Sequence, residues 1–192
     1  MKKLFIAPAL ALLSLAIAQQ SLASDGTINF NGQITDVTCT IKVNGGTSSA
    51  TITLPTVAAS ALSSGPGATA GDTPFSINLS GCSTADTGTE AAPKGIAVYF
   101  EPAGGSVNAA GRLDNTDSTG PANVNIALYK ASAPTTALIL GTAPTAADTT
   151  ISGADPSGAA EVKYVAKYYN ADGSPAAPGA VAARVVYSIV YP

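Results

Sequence analysis

The stretch RVVYSIVYP, residues 184–192, constrains this chain more than any other. Val185, Tyr187, Ile189 and Tyr191 share one face of an extended strand, with Arg184, Val186, Ser188 and Val190 on the other. Successive strand side chains leave the backbone on opposite sides, so alternation rich in β-branched and aromatic residues specifies a half-buried strand. Similar runs recur at 27–43, 50–54, 73–82, 95–101, 123–130, 160–170 and 180–191, with 137–140 as a short extra piece. Loops rich in Gly, Pro, Ser and Thr divide them. Past the N-terminal segment, residues 57–62 are the one helix candidate, a turn or two long. Asn170, Ala171, Asp172 and Gly173 make a turn in which Gly173 is free to take a positive φ. Many short strands without helical periodicity predict an all-β sandwich in a single domain.

The first run changes parity along its length. Gly26, Ile28, Phe30, Gly32 and Ile34 lie on one face, whereas Val37, Cys39, Ile41 and Val43 are odd-numbered. A flat strand cannot hold both sets against one core, because a one-residue slip turns every side chain over. Two explanations stand open: a β-bulge near Thr35 and Asp36, or a segment 25–31 that belongs to a different sheet.

The N-terminus reads as a targeting segment. Lys2 and Lys3 precede an apolar run from Leu4 to Ala18, and Ser21, Leu22 and Ala23 supply small residues at a cleavage site. About 15 apolar residues fall short of the roughly 20 that span a bilayer. A signal peptide over 1–23 is therefore expected, rather than a membrane anchor. Removing 23 residues from 192 leaves 169, enough for one domain with a real core. Removing Lys2 and Lys3 from nine basic residues leaves seven against twelve acidic ones, a formal charge of −5. Nucleic acid is then an unsuitable partner. Cys39 and Cys82 are the two cysteines of the chain. In an oxidising compartment they are expected to pair, and closing that loop stabilises the fold by about 4 kcal/mol in the chain-entropy model. A metal site is the rival, but there is no histidine and no second cysteine pair.

The chain lacks histidine, which excludes Ser-His-Asp and Cys-His chemistry. Asp114 and Asp117 are close in sequence, as a carboxylate pair for glycoside hydrolysis would require, but they sit in the polar stretch DNTDSTG. That stretch also lacks the alternating carboxylates and distal Glu of a calcium loop. Solvated loop charge is the better reading. Asn78, Leu79 and Ser80 match a glycosylation acceptor inside a predicted strand, and the tyrosines at 164, 168, 169, 187 and 191 read as packing residues rather than as a sugar platform. No enzymatic activity and no cofactor are expected.

Three segments together resemble the pilins assembled by the chaperone–usher pathway, the type 1-like fimbrial subunits. They are DGTINFNGQITDVTC leading into the first cysteine, TPFSINLSGC ending in the second, and the C-terminal strand with Tyr191 penultimate and Gly179 fourteenth from the end. GIAVYFEP and YVAKYYNADG add a likeness to serotype-type major subunits. The terminal Pro192 departs from the polar last residue usual in that family. The resemblance implies an incomplete immunoglobulin-like sandwich lacking its last strand, completed in trans by a donor strand. It implies a donor extension over 24–31, with Gly26, Ile28 and Phe30 inward, and a pilin domain over 32–192. It assigns Gly179, Val185, Tyr187, Ile189 and Tyr191 to the groove that binds a periplasmic chaperone and then the next subunit. Other implied partners are related pilins in a head-to-tail polymer and an outer-membrane usher, with the product a surface fimbrium. A minor or adaptor pilin, and a secreted monomeric carbohydrate-binding sandwich, are the alternatives.

Overall fold

The computed structural model describes residues 37–83 and 95–192. The expected signal peptide, the 24–31 segment with Gly26, Ile28 and Phe30, and the parity break at 35–36 lie outside the described residues. Within them the strands are β1 Thr38–Val43, β2 Thr69–Ser83, β3 Gly95–Glu101, β4 Val124–Lys130, β5 Thr149–Thr150, β6 Gly158–Asn170 and β7 Val186–Val190, with one 3-10 turn at Ala59–Leu62. They form a four-stranded antiparallel sheet in the order β1-β2-β6-β4 and a three-stranded one in the order β5-β3-β7.

The period-two pattern explains how the two layers meet. Ile77 and Leu79 of β2 and Val162, Tyr164 and Ala166 of β6 turn inward, as do Ile96, Val98 and Phe100 of β3, and all are buried in one cluster. Tyr164 carries the contact between layers: Phe75 stacks on its ring at 5.4 Å and Phe100 meets it edge-on at 5.2 Å. Its hydroxyl donates to Asp148 Oδ2, which also accepts the Val98 N–H, while Lys130 pairs with the other carboxylate oxygen. A carboxylate only 5% exposed is tolerable because all of these partners meet it.

Cys39 and Cys82 are bonded, joining the neighbouring strands β1 and β2 with Cα atoms 4.2 Å apart. The β2–β6 register slips between Leu79 and Cys82, where Gly81 takes φ +60°. A second slip between Ala70 and Thr73, where Gly71 takes φ +74°, marks the point at which the strand extends N-terminally past the expected 73–82. At the far end, Gly173 has φ +82° and donates its N–H to Asn170 Oδ1, the turn predicted for these residues.

Two runs depart from expectation. Residues 50–54 pair with no strand among the described residues. The run 180–191 is a ladder only over Val186–Val190. Both departures lie on the same side of the sandwich.

Candidate functional site

That side holds a cleft of about 800 Å³. One wall is the C-terminal segment from Ala183 to Ile189, the other is residues 48–54, and Ile77, Phe100, Leu128 and Ala166 lie on the floor. Among the described residues, β7 pairs along one edge only, with β3, in a register that sets Tyr187 against Phe100 and Ile189 against Val98. Ile52 and Leu54 on one wall, and Val185, Tyr187 and Ile189 on the other, pack against the core yet remain only partly buried, as does Tyr191 just beyond the cleft. Val186, on the opposite face, is 39% exposed. The alternation expected for this strand therefore points the predicted residues inward.

The first half of the C-terminal segment is held without a ladder. Ser106 N donates to Arg184 O and Thr116 N to Ala182 O, each at 2.8 Å. The Asn115 carboxamide stands in for a peptide group: Ala182 N donates to its Oδ1 and its Nδ2 donates to Ala180 O, both at 3.0 Å. These bonds occupy main-chain groups of Ala180, Ala182 and Arg184. Neighbouring residues of a strand aim their N–H and C=O at opposite edges. Ala183 and Val185 thus turn theirs toward the cleft, and the alternation continues through Tyr187 and Ile189. The same odd-numbered residues supply both the apolar face of this wall and a hydrogen-bonding edge that carries no strand among the described residues.

At one end of the cleft, Tyr187 Oη donates to the Ser48 carbonyl at 2.7 Å. Burial pushes the Tyr187 and Tyr191 phenols above their ordinary value, so they stay neutral donors. Gly179 lies away from the main cleft. It lines a second cavity of about 300 Å³ together with Val57, Leu62, Pro121, Tyr168 and Val181. A Cβ at Gly179 would sit 2.8 Å from Gly120 Cα, and one at Gly120 would sit 1.7 Å from Ala180 O. The two backbones approach too closely for side chains, and this contact anchors the start of the C-terminal segment.

Sequence reading missed Asn115, Ser106 and Ser48. Asn115 sits inside DNTDSTG, the stretch read as solvated loop. That reading suits Asp117, whose exposed carboxylate accepts the Thr119 N–H and hydroxyl and is held below the usual range by them. Asp114 instead accepts from Asn108 and Asn125. Asn78 is bonded to Glu161 across β2 and β6.

Two antiparallel layers over one core, with an apolar edge beside the last strand that no strand covers among the described residues, define an incomplete immunoglobulin-like sandwich. A solved chaperone–usher pilus, described as revealing the molecular basis of rod uncoiling, superimposes with a TM-score of 0.61 at 22% identity, covering 88% of this chain and 96% of that one. The family described as FimA, Type-1 fimbrial protein, A, matches residues 54–192. Major fimbrial subunit SMF-1 of Stenotrophomonas maltophilia is 40% identical, over 88% of this chain and 94% of that protein. The F17 fimbrial protein of Escherichia coli is 38% identical, over 95% and 96%. The chain belongs to the type-1 fimbrial protein family and is a structural subunit of a fimbria.

Proposed function

We propose that this subunit builds the fimbrial shaft by donor-strand exchange, residues 24–31 of each copy lying in the cleft of its neighbour. The observation that carries the proposal is the cleft itself, where two chain segments face each other across an apolar floor. A strand laid between them forms ladder bonds to both edges and drops alternate side chains into the core, which is strand addition of the kind known from chaperone–pilin complementation. Under this reading Gly26, Ile28 and Phe30 point inward, and each large apolar residue contributes about 1.5–3 kcal/mol on burial. Head-to-tail contacts that do not close on themselves yield a filament.

The rest of the assignment follows from that step. Residues 1–23 are a signal peptide removed on export, and 32–192 are the pilin domain. An open apolar edge is an aggregation hazard, so a periplasmic chaperone covers the Val185, Tyr187, Ile189 and Tyr191 strand until an outer-membrane usher exchanges it for the next subunit. The product is a surface fimbrium supporting adhesion, with no catalytic role and no cofactor. Near-complete coverage of a major subunit favours the shaft over a minor position.

Electron microscopy of cells expressing variants tests the central step. Phe30→Asp and Gly26→Leu should each abolish fibres while folded subunit accumulates, and Asn29→Ala should assemble normally. Failure of Phe30→Asp to fold at all would place the segment inside its own domain and overturn the assignment.

A further inference from the structure

We infer that Tyr187 bars the cleft of the unassembled subunit, its phenol occupying the lane that a donor strand takes and its hydroxyl holding the Ser48 carbonyl until that strand arrives. This deepens, and rests on, the donor-strand reading above. Tyr187 belongs to one wall of the cleft and Ser48 to the other, and the bond between them crosses the gap. A strand inserted between two walls sits roughly 4.8 Å from each. A side chain that starts on one wall and bonds the backbone of the opposite one lies across that path.

Both ends of the bar are fixed. Tyr187 is set by its pairing with Phe100 in the β3–β7 ladder. The Ser48 carbonyl is presented by a turn with its own internal bonds. Val43 N donates to Thr47 O at 2.8 Å and Gly46 N to Val43 O at 3.0 Å. The Thr47 hydroxyl donates to Ser49 O at 2.6 Å. Asn44 and Ser76 exchange two further bonds, Asn44 N to Ser76 O and Ser76 N to Asn44 Oδ1, which tie the turn to β2. Two anchored walls joined by one hydroxyl make a contact that is selective and readily exchanged. The carbonyl it satisfies is a main-chain acceptor on the edge of the cleft, the kind of group an entering strand's N–H takes over. Tyr187 is therefore a positioning residue for strand capture.

The test uses the chain 24–192 and a fluorescein-labelled peptide of residues 25–34, at a dilution where the subunit does not polymerise. Stopped-flow anisotropy reads association, and the thermal midpoint and hydrogen exchange are read alongside. Tyr187→Phe keeps the ring and removes only the hydroxyl. Its association rate should rise about five-fold, the size expected for one such hydrogen bond. Exchange at amides 47–51 should quicken, with β2 amides unchanged and the thermal midpoint lowered by only about 2–4 °C, the loss of that one bond. Equal association rates would overturn the bar and leave donor-strand capture standing. A faster rate matched by faster β2 exchange would mean a loosened domain, and would also overturn it. No binding of the peptide to the unsubstituted chain would overturn both readings together.

Discussion

The inner faces of β2 and β6 and the inner face of β7 belong to one apolar core, and they are covered very differently. Ile77, Leu79 and Tyr164 are 1%, 2% and 1% exposed. Val185, Tyr187, Ile189 and Tyr191 have the same alternating pattern and pack on the same cluster, yet none of them is fully buried. Composition does not explain the difference, because the residue types are alike. Position does: β2 and β6 each have a neighbour on both edges, while β7 has β3 alone among the described residues. The open side therefore holds apolar surface whose stabilisation is still to be realised, about 1 kcal/mol for each side chain brought from half to full burial.

The disulfide ties the edge strand β1 to β2 of the closed side, and breaking it should have the largest effect on the unassembled subunit. Cys39→Ser with Cys82→Ser should cost about 4 kcal/mol, a large share of a marginal domain's stability. Periplasmic yield of the processed chain should fall several-fold. Quantitative immunoblotting of periplasmic extracts measures it, and undiminished yield would show that the closed side is held by packing alone.

A matched pair of truncations sharpens the contrast. Leu79→Ala, on the closed side, should destabilise the free subunit by about 3 kcal/mol, within the usual range for emptying a packed core position. Ile189→Ala removes a similar side chain from the open side and should cost only about 1 kcal/mol in the free subunit. In the fibre its cost should approach that of Leu79→Ala if, as proposed, a donor strand completes its cover. Denaturant unfolding of subunit and of fibre measures both, and an Ile189→Ala cost that is the same in both states would mean that polymerisation leaves the cleft unfilled.

Much of this architecture was legible from periodicity. Gly95–Glu101 is the strand predicted, and Val124–Lys130 and Gly158–Asn170 differ from prediction by one or two residues at an end. These strands are covered along their inner faces, so pattern and pairing agree. Residues 50–54 have the strand pattern without the ladder, because a pattern encodes which face is apolar and not whether an edge has a partner. Asn115 was illegible for a different reason. Its role depends on a segment 65 positions away, with which it bonds as a peptide group would, and nothing in DNTDSTG marks that use. Asp148 likewise gains its partners Lys130, Val98 and Tyr164 only when the two sheets close. The predicted donor residues lie outside the described part of the chain, so the cleft, and not its occupant, is what the structure adds to the sequence.

Phenol titration separates the two sides with the smallest perturbation. Burial raises Tyr187, Tyr191 and Tyr164 alike, and for Tyr164 the Asp148 charge and hydrogen bond raise it further. A folded-state value above the unfolded value of about 10 means the neutral phenol stabilises the fold. That contribution is complete below about pH 10 and is lost as pH rises through the folded-state value. Tyr187 and Tyr191 should ionise above the usual range while the subunit is still folded, whereas Tyr164 should ionise only as the domain unfolds. Absorbance near 295 nm against circular dichroism reads this, and Tyr164 ionising in the native state would mean that water reaches the closed side.

The central claim is that the open side is filled in trans by residues 24–31. Photo-crosslinking tests it most directly, with benzoylphenylalanine at position 28 in fibres assembled from a mixture of isotopically light and heavy subunits. Mass spectrometry of the digested fibres should find position 28 joined to peptides containing Ile52 and Leu54 or Val185, Tyr187 and Ile189, with light-to-heavy pairs showing that donor and cleft come from different chains. Crosslinks confined to light–light and heavy–heavy pairs, or directed to surfaces away from the cleft, would contradict the account.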